Sequence, residues 1–124
     1  MDEVCLAVWS LHLEKSRGPD GFSIIFYRSC WHIIKKRIQR MLRWTQSQEK
    51  IGGATNSTFL SLIPKENNPT SNKRFRPISL CNSSYKILSK IISNRLKKVI
   101  LHLISKNHRG FITETQIYDN ILLV

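Results

Sequence analysis

The side chains in this chain best suited to chemistry are its cations. Between Lys65 and Arg109 stand eleven Lys and Arg with a single acid, Glu66, and seven more basic residues lie between Arg28 and Lys50. Over the whole chain Lys and Arg number 20 against 8 Asp and Glu, a formal net charge of +12. A surplus of this kind favours a polyanionic partner, because each phosphate neutralised by Lys or Arg releases condensed counterions. Such side chains position a nucleic-acid backbone without reading its sequence. Lys73, Arg74, Lys86, Lys90 and Lys97 are the candidates for that contact. Phe75, Tyr85 and Phe111 stand among these charges and could stack on bases, although aromatic residues at apolar positions more often fill core. The bland alternative is a solvated basic surface with no specific partner.

Covalent and metal-assisted chemistry find less support. The eight acids are scattered, and only Asp2 and Glu3 adjoin. His12, His32, His102 and His108 have no zinc spacing with Cys5, Cys30 and Cys81, and Cys30-x-His32 is a lone pair on a helical stretch. A nucleophile elbow, a phosphate-binding glycine loop and a dinucleotide fingerprint are all missing from the sequence. From its residues alone the chain reads as no enzyme.

The elements that must position the cations are mostly helical. Asp2 can cap a first helix carrying Val4, Leu6, Ala7, Val8 and Leu11, which must stop by Gly18-Pro19. Phe22 to about Gln46 reads as one long amphipathic helix with Phe26, Cys30, Ile33, Ile34, Ile38, Met41 and Leu42 on its apolar stripe. Lys35, Lys36, Arg40 and Arg43 fall largely off that stripe, and Gly52-Gly53 breaks the pattern. Thr58 to Pro64 alternates like a strand and Arg76 to Leu80 reads as its antiparallel partner, with turn formers from Glu66 to Asn72 between them. Asn82 or Ser83 then caps a third helix to about Ile104, whose stripe is Leu88, Ile91, Ile92, Leu96, Val99, Ile100 and Leu103. A last helix or half-helix is expected from about Thr113. The fold class expected is α+β, a mostly helical fragment with one antiparallel β-hairpin.

At 124 residues the chain is one domain at most, long enough to bury a core. Three distant cysteines suit reduced thiols rather than a disulfide framework. No window reaches the roughly 18 to 20 apolar residues of a membrane span, and Met1-Asp2-Glu3 opens no secretory signal. The expectation is an intracellular protein that makes no membrane contact.

Three blocks of sequence carry a resemblance. They are Lys15-Ser16-Arg17-Gly18-Pro19-Asp20-Gly21-Phe22; Phe75-Arg76-Pro77-Ile78-Ser79-Leu80-Cys81-Asn82 running into Tyr85-Lys86-Ile87-Leu88-Ser89-Lys90-Ile91-Ile92; and Phe111-Ile112 with Gln116-Ile117 and Asp119-Asn120-Ile121-Leu122-Leu123. In this order and at these distances they resemble the start of the reverse transcriptase domain of LINE-type (non-LTR) retrotransposons, particularly the plant ones, over nearly the whole chain. The resemblance implies the fingers subdomain with the beginning of the palm across residues 1–124. It implies a hairpin lying over the incoming nucleotide, with Arg76, and less directly Lys65, gripping the triphosphate; a planar guanidinium can hold phosphate oxygens bidentately. A carboxylate partner for Arg76 is the competing role, and the scarcity of local acids counts against it. Asp20 is expected to cap the next helix.

The chain also departs from the family. Arg17 stands where Pro is usual, and Glu114-Thr115 stand where Gly-Arg is common, so Thr115 removes a positive contact. The family holds two divalent ions, Mg2+, on aspartates from a strand beyond Asn120 and from a later Tyr/Phe-x-Asp-Asp turn. The chain ends before both, so no metal site and no cofactor are expected within it. The expectation is therefore a truncated reverse transcriptase homologue, inactive alone, whose partners are RNA or DNA and a palm segment if one is encoded separately. The alternatives are a small basic RNA- or DNA-binding protein using the hairpin and helix surface, or a fragment that never folds stably.

Overall fold

Asp2 opens the first helix as expected. Its carboxylate accepts the Val4 N–H at 3.4 Å, and Glu3 places an acid in the first turn, where the helix dipole favours it. The computed structural model describes residues 2–103. These form α1 (Glu3–Ser10), α2 (Ile24–Ser29), α3 (Trp31–Gln48), α4 (Gly53–Asn56), β1 (Thr58–Pro64), a 3-10 turn (Asn72–Arg74), β2 (Phe75–Cys81) and α5 (Ser83–Leu103). The α+β expectation holds. Among the described residues there are five α-helices and one two-stranded antiparallel sheet.

Helix α1 stops at Ser10, well short of Gly18-Pro19, because Arg28 supplies an end of its own. Leu11 turns to extended geometry (φ −80°, ψ 140°) and is buried, while Leu6 faces solvent. The Arg28 Nη2 donates to Trp9 O at 2.6 Å and Leu11 O at 2.7 Å, and Nε donates to Val8 O at 3.4 Å. Carbonyls that a helix end leaves without partners are thereby satisfied.

The single helix expected from Phe22 to about Gln46 is two helices. Ser23, not Asp20, caps α2, accepting the Phe26 N–H at 3.2 Å. Cys30 leaves helical geometry (φ −97°, ψ 17°) and starts α3. Its N–H still donates to Phe26 O at 2.9 Å, and its carbonyl accepts from Ile33 and Ile34 at 3.0 and 3.1 Å. The bonds and apolar spacing thus run across the break, which periodicity reads as continuous. The bend turns Ile24 and Tyr27 inward with Ile38, while Phe26 and Ile33, expected on the buried stripe, face solvent. Helix α3 ends in left-handed geometry at Glu49 (φ 53°), and the two glycines that follow open the short α4.

The hairpin matches its expectation closely. β1 spans Thr58–Pro64, and β2 extends the expected Arg76–Leu80 by one residue at each end. The register pairs Thr58 with Cys81, Ile63 with Arg76 and Pro64 with Phe75, and Lys65 N–H adds a further bond to Arg74 O at 2.8 Å. The strands pack mainly on each other, so Phe59, Leu60, Leu62, Ile63 and Ile78 are exposed and both faces carry apolar side chains.

The core lies among the helices, with Val4, Ala7, Val8, Leu11, Ile24, Tyr27, Ile38, Ile87 and Ile91 in one cluster. A buried Ile or Leu contributes about 1.5–3 kcal/mol relative to exposure. Only the first part of the α5 stripe takes part. Ile87, Leu88 and Ile91 are buried, but Ile92, Leu96, Val99 and Leu103 are exposed. The eight-residue α1, about 12 Å long at 1.5 Å per residue, covers only the near half of this helix. Ile104, the last helix expected from Thr113, and Phe111 and Thr115 lie outside the described residues.

Candidate nucleic-acid interface

The cations are positioned by a junction where β2 passes into α5. Asn82, at 2% exposure, sits at that junction. Its Oδ1 accepts the Asp20 N–H at 3.0 Å and its Nδ2 donates to Ala54 O at 2.7 Å, while its own carbonyl accepts the Lys86 N–H at 3.1 Å. Buried Ser83 donates from Oγ to Phe22 O at 2.7 Å. Asn82 thus holds the Gly18–Gly21 turn and α4 against the strand–helix corner. Only glycine fits at the contact, since a Cβ on Gly18 would lie 2.4 Å from Asn82 N. The turn closes through Gly21 N–H to Gly18 O at 3.0 Å, with Gly21 at φ 71°. Asp20, expected to cap the next helix, instead accepts the Phe22 N–H at 3.1 Å, an Asx-type turn.

The first group of cations lies at the loop end of the hairpin. Lys65 is exposed and its Nζ donates to Lys73 O at 2.9 Å, so Lys65 and Lys73 sit together across the loop. Arg74 pairs with Glu66. Both partners are about half exposed, and such a surface pair contributes little to stability. Arg76 is exposed on β2 opposite Ile63. Among the described residues no acid pairs with its guanidinium, so the competing carboxylate role finds no partner there.

The second group lies on α5. Lys86 and Lys90 are half-buried and line a groove of about 300 Å3 with Lys15, Tyr85, Ser89 and Ser93. Lys86 Nζ donates to Ser16 O, and burial, aided by the like charge of Lys15, pushes its pKa below the ordinary lysine value. Cys81, at the foot of the hairpin, also borders this groove. Arg76 is five residues along β2 from Cys81, about 17 Å at 3.4 Å per residue. The structure therefore divides the candidates. Lys65, Lys73, Arg74 and Arg76 share the hairpin, Lys86 and Lys90 share the groove, and exposed Lys97 lies outside both, farther along α5.

Sequence reading missed Lys15 and the tie made by Asn82. The signal for both was the Lys15–Phe22 block, read as a turn and not as a surface laid against the strand–helix corner. Arg28, counted among the basic surface, is spent on the end of α1.

The described acids do not fit a two-ion site. Asp2 engages Gln39, Glu3 engages Arg95, Asp20 engages the Phe22 amide and Glu66 engages Arg74, while Glu14 and Glu49 are exposed and far from one another in sequence. Among the described residues no three of His, Cys, Asp and Glu gather to hold an ion. No described helix is long and apolar enough to cross a membrane, and all three cysteines are free.

Fold and surface together define a strongly basic α+β segment built on a hairpin–helix unit. Residues 63–123 match the family of the reverse transcriptase (RNA-dependent DNA polymerase). The chain is also 31% identical, over all of its 124 residues, to the uncharacterized 149 kDa protein of transposon TX1 from Xenopus laevis, of which it spans 10%. Residues 63–123 are thus similar to reverse transcriptases, and the two likenesses together support reading the chain as a reverse transcriptase homologue. The family match begins one residue before Pro64 and takes in Arg76, Asn82 and the α5 lysines, whereas the Gly18 turn falls within the likeness to the transposon protein.

Proposed function

We propose that this chain is the fingers and start of the palm of a LINE-type (non-LTR) retrotransposon reverse transcriptase, of the plant kind, and that its residues hold nucleotide and nucleic acid without performing the transfer. The ancestral reaction is RNA-templated DNA synthesis. In that reaction Arg76 and Lys65 grip the triphosphate of the incoming nucleotide, and the basic surface of the hairpin and α5 carries RNA or DNA. The Mg2+ chemistry belongs to the aspartates of the family's palm, and its setting is inside the cell. A stand-alone RNA- or DNA-binding protein is less favoured, because likeness to a transposon protein extends over the whole chain.

The observation that carries this reading is Arg76. It lies within the segment that matches the family, exposed on the hairpin, with no acid paired to it among the described residues. Isothermal titration of the chain with a deoxynucleoside triphosphate tests it. Binding should depend on the phosphates, so the unphosphorylated nucleoside should not bind. Arg76→Ala should weaken affinity about tenfold or more, the loss of a charge-assisted hydrogen bond. Equal affinities of wild type and Arg76→Ala would defeat the reading.

A further inference from the structure

Both strands of the hairpin are edges, since among the described residues the sheet holds β1 and β2 alone. The two edges are not alike. The Lys65 N–H bonds to Arg74 O, which makes these two a hydrogen-bonded pair that continues the register. In an antiparallel sheet such pairs alternate with pairs whose N–H and C=O groups point away from each other. Ile63 with Arg76, Ser61 with Ile78 and Phe59 with Leu80 therefore make the hairpin's own bonds, while Leu62 with Pro77, Leu60 with Ser79 and Thr58 with Cys81 turn their backbone groups outward. On β2 this places Pro77, which has no N–H, on the outer edge with the charge of Arg76 beside it. Proline and charge are devices that keep an edge from accepting a further strand. Residues 58–63 of β1 contain neither. This edge offers the N–H and C=O groups of Thr58, Leu60 and Leu62, and among the described residues no turn, loop or cap bond reaches them. Leu60, at its centre, is 65% exposed. An uncharged apolar run on an open edge is the kind of segment that pairs with another strand.

We propose that the outer edge of β1 is a self-association site, where two copies of the chain join β1 to β1, antiparallel, about a two-fold axis at Leu60. In that register Leu60 faces the partner copy's Leu60 and Thr58 faces its Leu62, each pair exchanging both backbone bonds. The two hairpins then form one continuous sheet. Charge selects this arrangement. A parallel pair would set the two cationic loop ends side by side, each with Lys65, Lys73, Arg74 and Arg76. The antiparallel pair puts the two copies of Pro64 about 27 Å apart at 3.4 Å per residue, beyond the roughly 8 Å reach of a charge at physiological salt. Each loop end then lies beside residues 51–57 of the other copy, a stretch without charge. Association stops at two copies, because the edges left outside are both β2 and are closed by Pro77. The contact buries little surface and a formal charge of +12 on each copy opposes it, so the pair is weak and forms as protein concentration rises. Arg76 stays on the far strand, so the nucleotide reading of that residue stands or falls separately.

Sedimentation velocity of the full chain over a range of concentration and salt tests it. A monomer–dimer equilibrium is expected, tightening with salt as the like charges of the two copies are screened. Leu60→Lys sets two cations opposite each other and should weaken the dimer about tenfold or more. Ser79→Lys adds the same charge to the residue paired with Leu60, but on the β2 edge, and at high salt should leave the dimer unchanged. Amide exchange gives a readout on the wild type alone. The Leu60 and Leu62 N–H groups, which the hairpin leaves unbonded, should slow as concentration rises, while the Ser79 N–H should not. A chain monomeric at every concentration would overturn the proposal. So would a dimer indifferent to Leu60→Lys, one weakened equally by Ser79→Lys, one that dissociates as salt rises, or one that forms without slowing Leu60 and Leu62. Growth past two copies would overturn it too, since that needs the β2 edge.

Discussion

Gly18 lies against Asn82 so closely that a side chain at position 18 would collide with backbone: a Cβ there would stand 2.4 Å from Asn82 N and 2.5 Å from Cys81 C. Backbone cannot yield as a flexible side-chain tip can. Gly18→Ala should therefore cost about 2–3 kcal/mol, at the upper end of overpacking penalties. Gly21 provides the contrast. It needs glycine for its φ of 71°, but a Cβ there would meet nothing within 4 Å, so Gly21→Ala should cost only about 1–2 kcal/mol of backbone strain. Urea unfolding of the two variants measures the difference.

Asn82→Ala should destabilise the chain by about 2–3 kcal/mol. It leaves the Asp20 N–H and the Ala54 carbonyl without their partner, and an unmade bond at a buried group costs about 1–3 kcal/mol. Asn82→Asp should not rescue it, because it keeps the acceptor for Asp20 and sets an oxygen against the Ala54 carbonyl. The same unfolding assay reads both.

Arg28 should behave as a structural residue despite its charge. Arg28→Lys retains the charge but not the fork that serves Val8, Trp9 and Leu11 carbonyls, so it should lose about 1–2 kcal/mol. The guanidinium also lies 5.9 Å from the Trp9 ring centroid, and Trp9 meets Trp31 edge-on at 5.5 Å. A changed near-ultraviolet circular dichroism signal should accompany the loss. A variant with wild-type stability and spectrum would remove Arg28 from this role.

Glu3 and Arg95 join α1 to α5 through two hydrogen bonds, at 2.8 and 2.7 Å. The Arg95 hydrogen bond, helped by its charge, holds the Glu3 carboxyl below its ordinary value of 4.5. The contribution to stability is thus complete above that value and is lost as pH falls through the lower folded-state value. Both side chains are substantially exposed, so screening keeps it under about 1 kcal/mol. Glu3→Gln should lose this contribution, under about 1 kcal/mol, at neutral pH, match the wild type at low pH where Glu3 is protonated, and so flatten the stability–pH curve below pH 4.5.

The hairpin should be the least protected regular element. Its strands pack mainly on each other, and a two-stranded sheet alone is marginal in water. Amide hydrogen exchange should be fastest for Phe59–Ile63 and Arg76–Leu80 and slowest around Ile87 and Ile91, which belong to the core. Comparable protection in hairpin and core would mean that the exposed apolar faces have found a partner, such as a second copy of the chain.

What was legible in the sequence was local. Alternation from Thr58 to Pro64, bounded by a proline, marked β1, and turn formers up to Asn72 marked the loop. Asp2 announced α1, and the apolar spacing after Asn82 announced α5. The break at Cys30 was hidden because the hydrogen bonds and apolar spacing carry across it. Ile92, Leu96 and Val99 fit the α5 stripe by spacing, yet α1 is too short to cover them. Asn82 read as a cap because nothing local shows that its side chain reaches Asp20 and Ala54. Arg76 and Lys65 were picked out by the resemblance, whereas Lys15 joined Lys86 and Lys90 only once the Gly18 turn was folded onto the strand–helix corner.

The most direct measurement is an NMR map of backbone amide shifts on titration with a deoxynucleoside triphosphate. Nucleotide held by the hairpin predicts saturable shifts at Ile63, Lys65, Arg74 and Arg76, with the amides from Ser89 to Ser93 unmoved. Shifts confined to α5, or none at saturating nucleotide, would contradict it.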